Sequence, residues 1–152
     1  MQLLEGKSIA ITGGGGGLGR CYGLAMANAG ASVAVADIDM HAAQATADAI
    51  TQAGGRAIAV HADVTRAAAF ESLLDRTEAA LGPIDVLVNI AGMFPRRALV
   101  EMEEAEWDAV ITLNLKSVYL GARAAIPRKL PRRRGVVLCT ASGTGIPGPP
   151  KG

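Results

Sequence analysis

Five consecutive glycines, Gly13 to Gly17, followed by Leu18 and Gly19, join an apolar run ending at Thr12 to a segment of helical composition. The chemistry open to such a junction is anion binding. Free backbone N–H groups and the positive end of a helix dipole can hold a pyrophosphate, and a side chain there would block the approach. The tract contains a GxGxxG match at Gly14, Gly16 and Gly19, which is weak evidence inside a glycine run because several registers fit. The spacing Thr12-Gly13-x-x-x-Gly17-x-Gly19 is more particular. The plainer reading of the glycines alone is a flexible loop without a ligand. Asp37 weighs against it, because it closes a second apolar run about 20 residues further on, where a carboxylate accepts both hydroxyls of an adenosine ribose. The same charge repels a 2′-phosphate, and neither Ile38 nor Asp39 supplies a cation to offset it, so the site favours NAD over NADP. Ile38 is counted with the cofactor-binding residues. The plainer reading of Asp37 is a solvated strand end or the cap of the next helix, a role Asp39 could also fill.

The elements that must position these groups follow from the apolar pattern. Lys7–Thr12, Ser32–Asp37, Arg56–His61, Ile84–Asn89 and Gly135–Thr140 are short, Val/Ile-rich and mostly apolar on both faces, as strands covered on both sides should be. Ala-rich segments of helical period alternate with them: Gly17–Ala29, Met40–Ala53, Ala67–Leu81 and about Glu103–Leu130. They close at Gly30, Gly54-Gly55, Gly82-Pro83 and Pro131. This order predicts an α/β fold, a parallel sheet of about five strands with crossover helices on its faces and the nucleotide at the strand carboxyl ends. Residues 1–145 form the predicted NAD-binding domain. Residues 146–152, with Pro147, Pro149 and Pro150, are expected to be an extended, mobile tail.

Composition narrows the function classes. Half of the 152 residues are apolar and only 3% aromatic, so one core of small and branched aliphatic side chains is expected, which suits helices lying on a sheet. A net charge of +1 gives no field for nucleic acid or an anionic membrane. The cluster Arg128, Lys129 and Arg132-Arg133-Arg134 reads as a solvated helix end rather than a nucleic-acid contact. Cys21 and Cys139 lack metal-ligand spacing and read as reduced core thiols, so no metal is expected. No apolar stretch approaches a membrane span and Met1–Lys7 lacks a signal-peptide pattern, which places the chain in the cytoplasm by default.

Further motifs follow in order: Asp63-Val64, Asn89-Ile90-Ala91-Gly92, Asn114 and Ser142. With the glycine turn and Asp37, the whole chain resembles the short-chain dehydrogenase/reductase family. The resemblance implies a Rossmann-like doubly wound sheet in the order 3-2-1-4-5, NAD(P)-dependent oxidation of an alcohol or reduction of a carbonyl on a small molecule, and a homo-oligomer in the full-length form. By that resemblance Thr12, Gly13, Gly17, Leu18 and Gly19 form the pyrophosphate turn, and Asp37 is the ribose acid. Asp63 and Val64 then hold the adenine, and Asn89, Ala91 and Gly92 line the cofactor cleft. Ile90 stands where the family carries a second Asn, which removes one amide from the sheet. Asn114 resembles the helical Asn that holds a water of the proton relay, and Ser142 the serine that orients the reacting oxygen. The plainer readings are a buried amide bonded to backbone and a turn serine.

The family's proton-transfer pair, Tyr-x-x-x-Lys, follows the serine at a spacing that falls beyond Gly152. Only Tyr22 and Tyr119 occur, and their fourth followers are Met26 and Arg123. Tyr119-x-x-x-Arg123 lies before the fifth strand and reads as a packed ring and a surface arginine. The 152 residues are therefore expected to turn over little by themselves, with the last strands and helices of the family fold missing, an exposed edge at strand five and an apolar stripe on the long helix. An NAD(H)-binding or partner-binding module without catalysis is the alternative. An S-adenosylmethionine domain would also use a glycine turn and an acid, but Asn89-x-Ala91-Gly92 and Ser142 argue against it.

Overall fold

The computed structural model describes residues 2–142. Strands β1 (Ser8–Thr12), β2 (Ser32–Asp37), β3 (Arg56–His61), β4 (Val86–Asn89) and β5 (Val136–Cys139) form one parallel sheet in the order β3-β2-β1-β4-β5. Helices α1 (Gly17–Asn28), α2 (Met40–Gln52) and α3 (Ala67–Leu81) make the crossovers, and α4 (Glu104–Ile111) and α5 (Ser117–Lys129) lead to β5. The chain winds outward from β1 to β3, then crosses to β4 on the other side of β1, so a crevice opens beyond the carboxyl ends of β1 and β4. The first, fourth and fifth strands are each a little shorter than the apolar runs suggest, because Lys7, Ile84 and Gly135 lie outside the paired register.

The low aromatic content is explained by how side-chain size is divided across the sheet. On one face Ile9, Ile11, Val33 and Val35 of the strands meet small helical residues, Ala43 and Ala47. On the other face the strands present Ala10, Ala34 and Ala36, and the helices supply the bulk with Phe70, Leu73, Leu74 and Leu120. Period-two alternation along each strand thus divides the bulk between strands and helices differently on the two faces.

The span expected as one long helix is helical throughout but not uniform. A π turn at Thr112–Lys116 separates α4 from α5, and a 3₁₀ turn at Leu130–Arg132 ends in Arg133 at φ 50°, in the left-handed region, beside Pro131. Trp107, Ile111, Leu115 and Tyr119, spaced four residues apart along it, are 38–64% exposed and form the expected apolar stripe. The Tyr119 ring lies on that stripe rather than in packing, because the inward positions of α5 are taken by Ser117, Leu120 and Gly121. At the sheet edge Val136 and Leu138 are also more than 40% exposed. Both cysteines are exposed, contrary to the core assignment: Gly19 and Gly23 take the buried face of α1, and Cys139 ends the edge strand β5. Residues 143–152, including the expected tail, lie outside the described residues. No described helix is long and apolar enough to cross a membrane.

The basic cluster is solvated only in part: Arg133 and Arg134 are exposed, while Arg128, Lys129 and Arg132 are drawn onto the fold. Arg128 reaches across to α3, where its guanidinium lies 2.7–2.9 Å from Glu71, Asp75 and Glu78. Arg132 pairs with Asp85 at 3.2 Å and also donates to the Ile84 carbonyl. Lys129 is only 7% exposed and its Nζ donates to the same carbonyl at 3.1 Å. The carboxylates that draw these cations in come from α3 and the start of β4, more than forty residues away in sequence.

Burial, reinforced by the Arg132 charge, pulls the Lys129 amine down to about 8, against the partial counter-effect of Asp85 and Glu78. The unfolded chain keeps its proton on this amine to higher pH than the folded chain does. Stability from this group is therefore lowest below pH 8 and rises between about pH 8 and pH 10.5, by up to roughly 3 kcal/mol. Urea unfolding followed by circular dichroism at pH 7 and pH 9.5 should show a stability gain that is lost in Lys129→Met. Equal pH dependence in both chains would show that the amine is not desolvated in the fold.

Candidate functional site

The glycine turn is held from three sides. Thr12, at the end of β1, accepts at Oγ1 from the N–H groups of Ile90 and Ala91 at 3.1 and 3.3 Å, tying the tips of β1 and β4 together. Gly14 N–H donates to the Ala36 carbonyl at 3.0 Å, and Gly15 N–H to Asp37 Oδ2 at 2.9 Å. From α2, Thr46 Oγ1 donates to the Gly15 carbonyl at 3.4 Å and accepts from Arg20 at 3.1 Å. That Arg20–Thr46 prop joins residues 26 positions apart and has no local sequence signal.

Backbone closeness explains the glycines. A Cβ on Gly13, at φ +67°, would lie 2.9 Å from the Ala91 backbone, and one on Gly19 would lie 2.0 Å from the Gly13 carbonyl oxygen. The turn folds back on the start of α1, whose N-cap is Gly16 with no side-chain cap, leaving the helix terminus open to an anion.

Asp37 is oriented from both sides, its Oδ1 accepting from Asp39 N–H at 3.0 Å and its Oδ2 from Gly15 N–H. The capping of α2 falls to Asp39, which accepts from His41 and Ala42 N–H at 2.9 and 3.2 Å. At the end of β3, Asp63 Oδ1 accepts from the Thr65 hydroxyl at 2.6 Å and its N–H at 3.0 Å. Those bonds to Thr65 hold the Asp63 carboxyl below the usual carboxylate range.

These groups surround a cleft of about 430 Å³ lined by Gly13, Leu18, Gly19, Asp37, Ile38, Asp63, Val64, Ala91 and Gly92, nine of the twelve cofactor positions expected from sequence. Gly16, Ala62, Thr65, Ile90 and Leu113 complete the lining. Thr12 stands behind the wall as a support for the turn, and Gly17, exposed at the first position of α1, does not line the cleft. No lysine or arginine is among the lining residues.

A second cleft of about 480 Å³ shares Ile90, Ala91 and Gly92 with the first and continues to Met93, Phe94, Asn114, Val118 and Ser142. The two form one groove from Asp37 to Ser142 across the strand ends. Asn89 lines this second part and is 5% exposed; its Nδ2 faces Cys139 Sγ at 3.8 Å, and its Oδ1 has no hydrogen-bond partner among the described residues. Gly121 makes room for it, since a Cβ there would lie 2.6 Å from Asn89 Oδ1. Asn114, on the π turn, uses both ends of its amide on one residue: Oδ1 accepts from Met93 N–H and Nδ2 donates to the Met93 carbonyl, each at 2.8 Å. Its side chain thus clamps the segment after β4 to the helix. Neither Tyr22 nor Tyr119 lines either cleft.

A parallel sheet with its crevice at the strand-order reversal, closed by a glycine turn and an acid, defines a nucleotide-binding fold of the doubly wound class. The family model described as short chain dehydrogenase matches residues 7–152. Tropinone reductase-like 2 from Erythroxylum coca is 36% identical over 145 residues, covering 93% of this chain and 52% of that protein. The 2-dehydro-3-deoxy-D-gluconate 5-dehydrogenase of Escherichia coli strain K12 is 36% identical over 122 residues, covering 80% of this chain and 47% of the relative. Among solved structures, a short-chain type dehydrogenase/reductase from Mycobacterium marinum superposes with a TM-score of 0.90 at 36% identity, covering 96% of this chain and 60% of that one. The chain belongs to the short-chain dehydrogenase family. It spans about half the length of the curated relatives it matches.

Proposed function

We propose that this chain is the cofactor-binding portion of an oxidoreductase that interconverts an alcohol and a carbonyl, and that it takes NAD in preference to NADP. The observation that carries this reading is the Asp37 carboxylate, fixed by Gly15 and Asp39 N–H groups at a cleft whose described lining offers no cation for a 2′-phosphate. The glycine turn fits a pyrophosphate because Gly13 and Gly19 leave backbone where any Cβ would intrude. When bound, NAD supplies the hydride acceptor. Asp37 would accept the ribose hydroxyls, Leu18 and Gly19 N–H groups would face the pyrophosphate, and Asp63 and Val64 would border the adenine. Thr12 keeps the β1 and β4 tips together, and Asn114, by holding Met93, fixes the wall between the cleft and Ser142. Ser142 would donate to the reacting oxygen and orient the substrate. The exposed stripe Trp107, Ile111, Leu115 and Tyr119 supports a homo-oligomer formed through this helix.

The 152 residues contain no Tyr-x-x-x-Lys to move the proton that must accompany the hydride, so these residues by themselves are expected to bind the dinucleotide without turnover. Calorimetry on the 152-residue chain should show one site that binds NAD at least about tenfold more tightly than NADP. Alcohol and ketone panels should give no turnover above the uncatalysed rate. Tighter binding of NADP would overturn the cofactor assignment. Ordinary turnover would overturn the requirement for the absent pair.

A further inference from the structure

Five successive glycines could take many shapes, so the turn needs partners that choose one, and at Gly15 both polar groups of the backbone are taken. Its N–H donates to Asp37 Oδ2 at 2.9 Å and its carbonyl accepts from Thr46 Oγ1 at 3.4 Å. A Cβ there would lie 2.7 Å from Ala42 Cβ and 2.9 Å from Asp37 Oδ2. Gly15 is therefore pressed between Asp37 and the face of α2 that carries Ala42 and Thr46.

The buried Thr46 hydroxyl does not follow its neighbours. Within α2 and α3, Thr51 and Thr77 donate to the carbonyls four residues earlier, those of Ala47 and Leu73, at 3.0 and 2.7 Å. That back-bond is the local choice for a helical threonine. Thr46 instead reaches out of α2 to the turn, and Arg20 Nη1 donates to its Oγ1 at 3.1 Å. Arg20 stands in the first turn of α1, its own N–H bonded to the Gly16 carbonyl at 3.1 Å, and no carboxylate pairs with its guanidinium among the described residues. A hydroxyl oxygen that accepts from a cation keeps its own proton for an acceptor on another side, here the Gly15 carbonyl.

We propose that Arg20 and Thr46 are positioning residues for dinucleotide selection: through Gly15 they hold the Asp37 carboxylate in the orientation that receives the ribose. The role rests on the NAD reading given above. Neither residue lines the cleft, so both act through the turn. With Gly15 N–H on Oδ2 and Asp39 N–H on Oδ1, each carboxylate oxygen has one backbone donor and keeps lone pairs for a ribose hydroxyl. Freeing the Gly15 carbonyl returns a glycine's freedom to the turn and loosens one of those two anchors, so the ordering falls to the binding step. A 2′-phosphate gains nothing from an aimed carboxylate, and the loss is confined to NAD.

The test is calorimetry with NAD and NADP on the 152-residue chain and its variants. Thr46→Val keeps the side-chain shape without the hydroxyl and should lower NAD affinity at least about fivefold while moving NADP by less than about twofold. Thr46→Ser, which restores the hydroxyl, should return NAD affinity to within about twofold of the unaltered chain. In an Asp37→Ala chain the same Thr46→Val change should shift NAD affinity by less than about twofold, because the group it positions is gone. Arg20→Met, altered at the less buried end, should show part of the loss and carries the comparison if Thr46→Val does not fold. NAD affinity untouched by Thr46→Val, or lowered equally with and without the Asp37 carboxylate, overturns the proposal and leaves the cofactor reading standing. An unaltered chain that does not prefer NAD overturns the cofactor reading and this role with it.

Discussion

A Gly19→Ala chain is expected to lose dinucleotide binding by at least about a hundredfold and to lose roughly 2–4 kcal/mol of stability. The added carbon would sit 2.0 Å from the Gly13 carbonyl oxygen, 2.7 Å from its carbon and 3.0 Å from Gly14 Cα. All three are backbone atoms, so no side chain can rotate away, and the turn must open. Opening it pulls Gly13 off Ala91 and Gly15 off Asp37, which disrupts the pyrophosphate cradle and the ribose acid together. Gly16→Ala is the matched control, because a Cβ there meets nothing within 4 Å and its φ of −151° suits any residue. That variant should keep its stability to within about 0.5 kcal/mol. Equal losses in both variants, measured by chemical unfolding and calorimetry, would show that the turn is sensitive to any side chain rather than shaped by the contact with Gly13.

Asp37→Ala is the second change expected to act strongly, and it acts on selectivity as well as affinity. Two charge-assisted hydrogen bonds to the ribose are lost, which at about 1.5 kcal/mol each reduces NAD affinity by roughly a hundredfold. NADP, which the carboxylate repels, should lose little or gain, so the ratio of the two affinities moves toward one. The Gly15 and Asp39 N–H groups also lose their acceptor, which slightly loosens the turn. Asp37→Asn separates the two effects, since an amide oxygen can keep one backbone bond without the charge. If Asp37→Ala leaves both affinities unchanged, the carboxylate faces solvent and the ribose lies elsewhere.

The strands, the glycine turn and Asp37 were legible because each depends on residues close in sequence: a short apolar run, a tract without side chains, an acid closing a strand. That the sheet is parallel followed from alternation of strand and helix, whereas its order came from the family resemblance. What remained hidden depends on distant partners. Arg128 looks like a surface residue until α3 brings Glu71, 57 positions away, against it. The Arg20–Thr46 prop, the Asn114 clamp on Met93 and the exposure of both cysteines arise in the same way, from which faces other elements leave covered. The π turn had no signature in a segment whose apolar period is otherwise helical.

The single tryptophan of this chain, Trp107, stands on the exposed stripe of α4 and is 49% exposed, while the core holds Phe70 and aliphatic side chains. Its indole emission is therefore already that of a wet environment in the folded state and will change little when the sheet melts. It becomes a natural reporter of what docks on that helix: a blue shift on raising protein concentration would signal self-association, with no dye or label added.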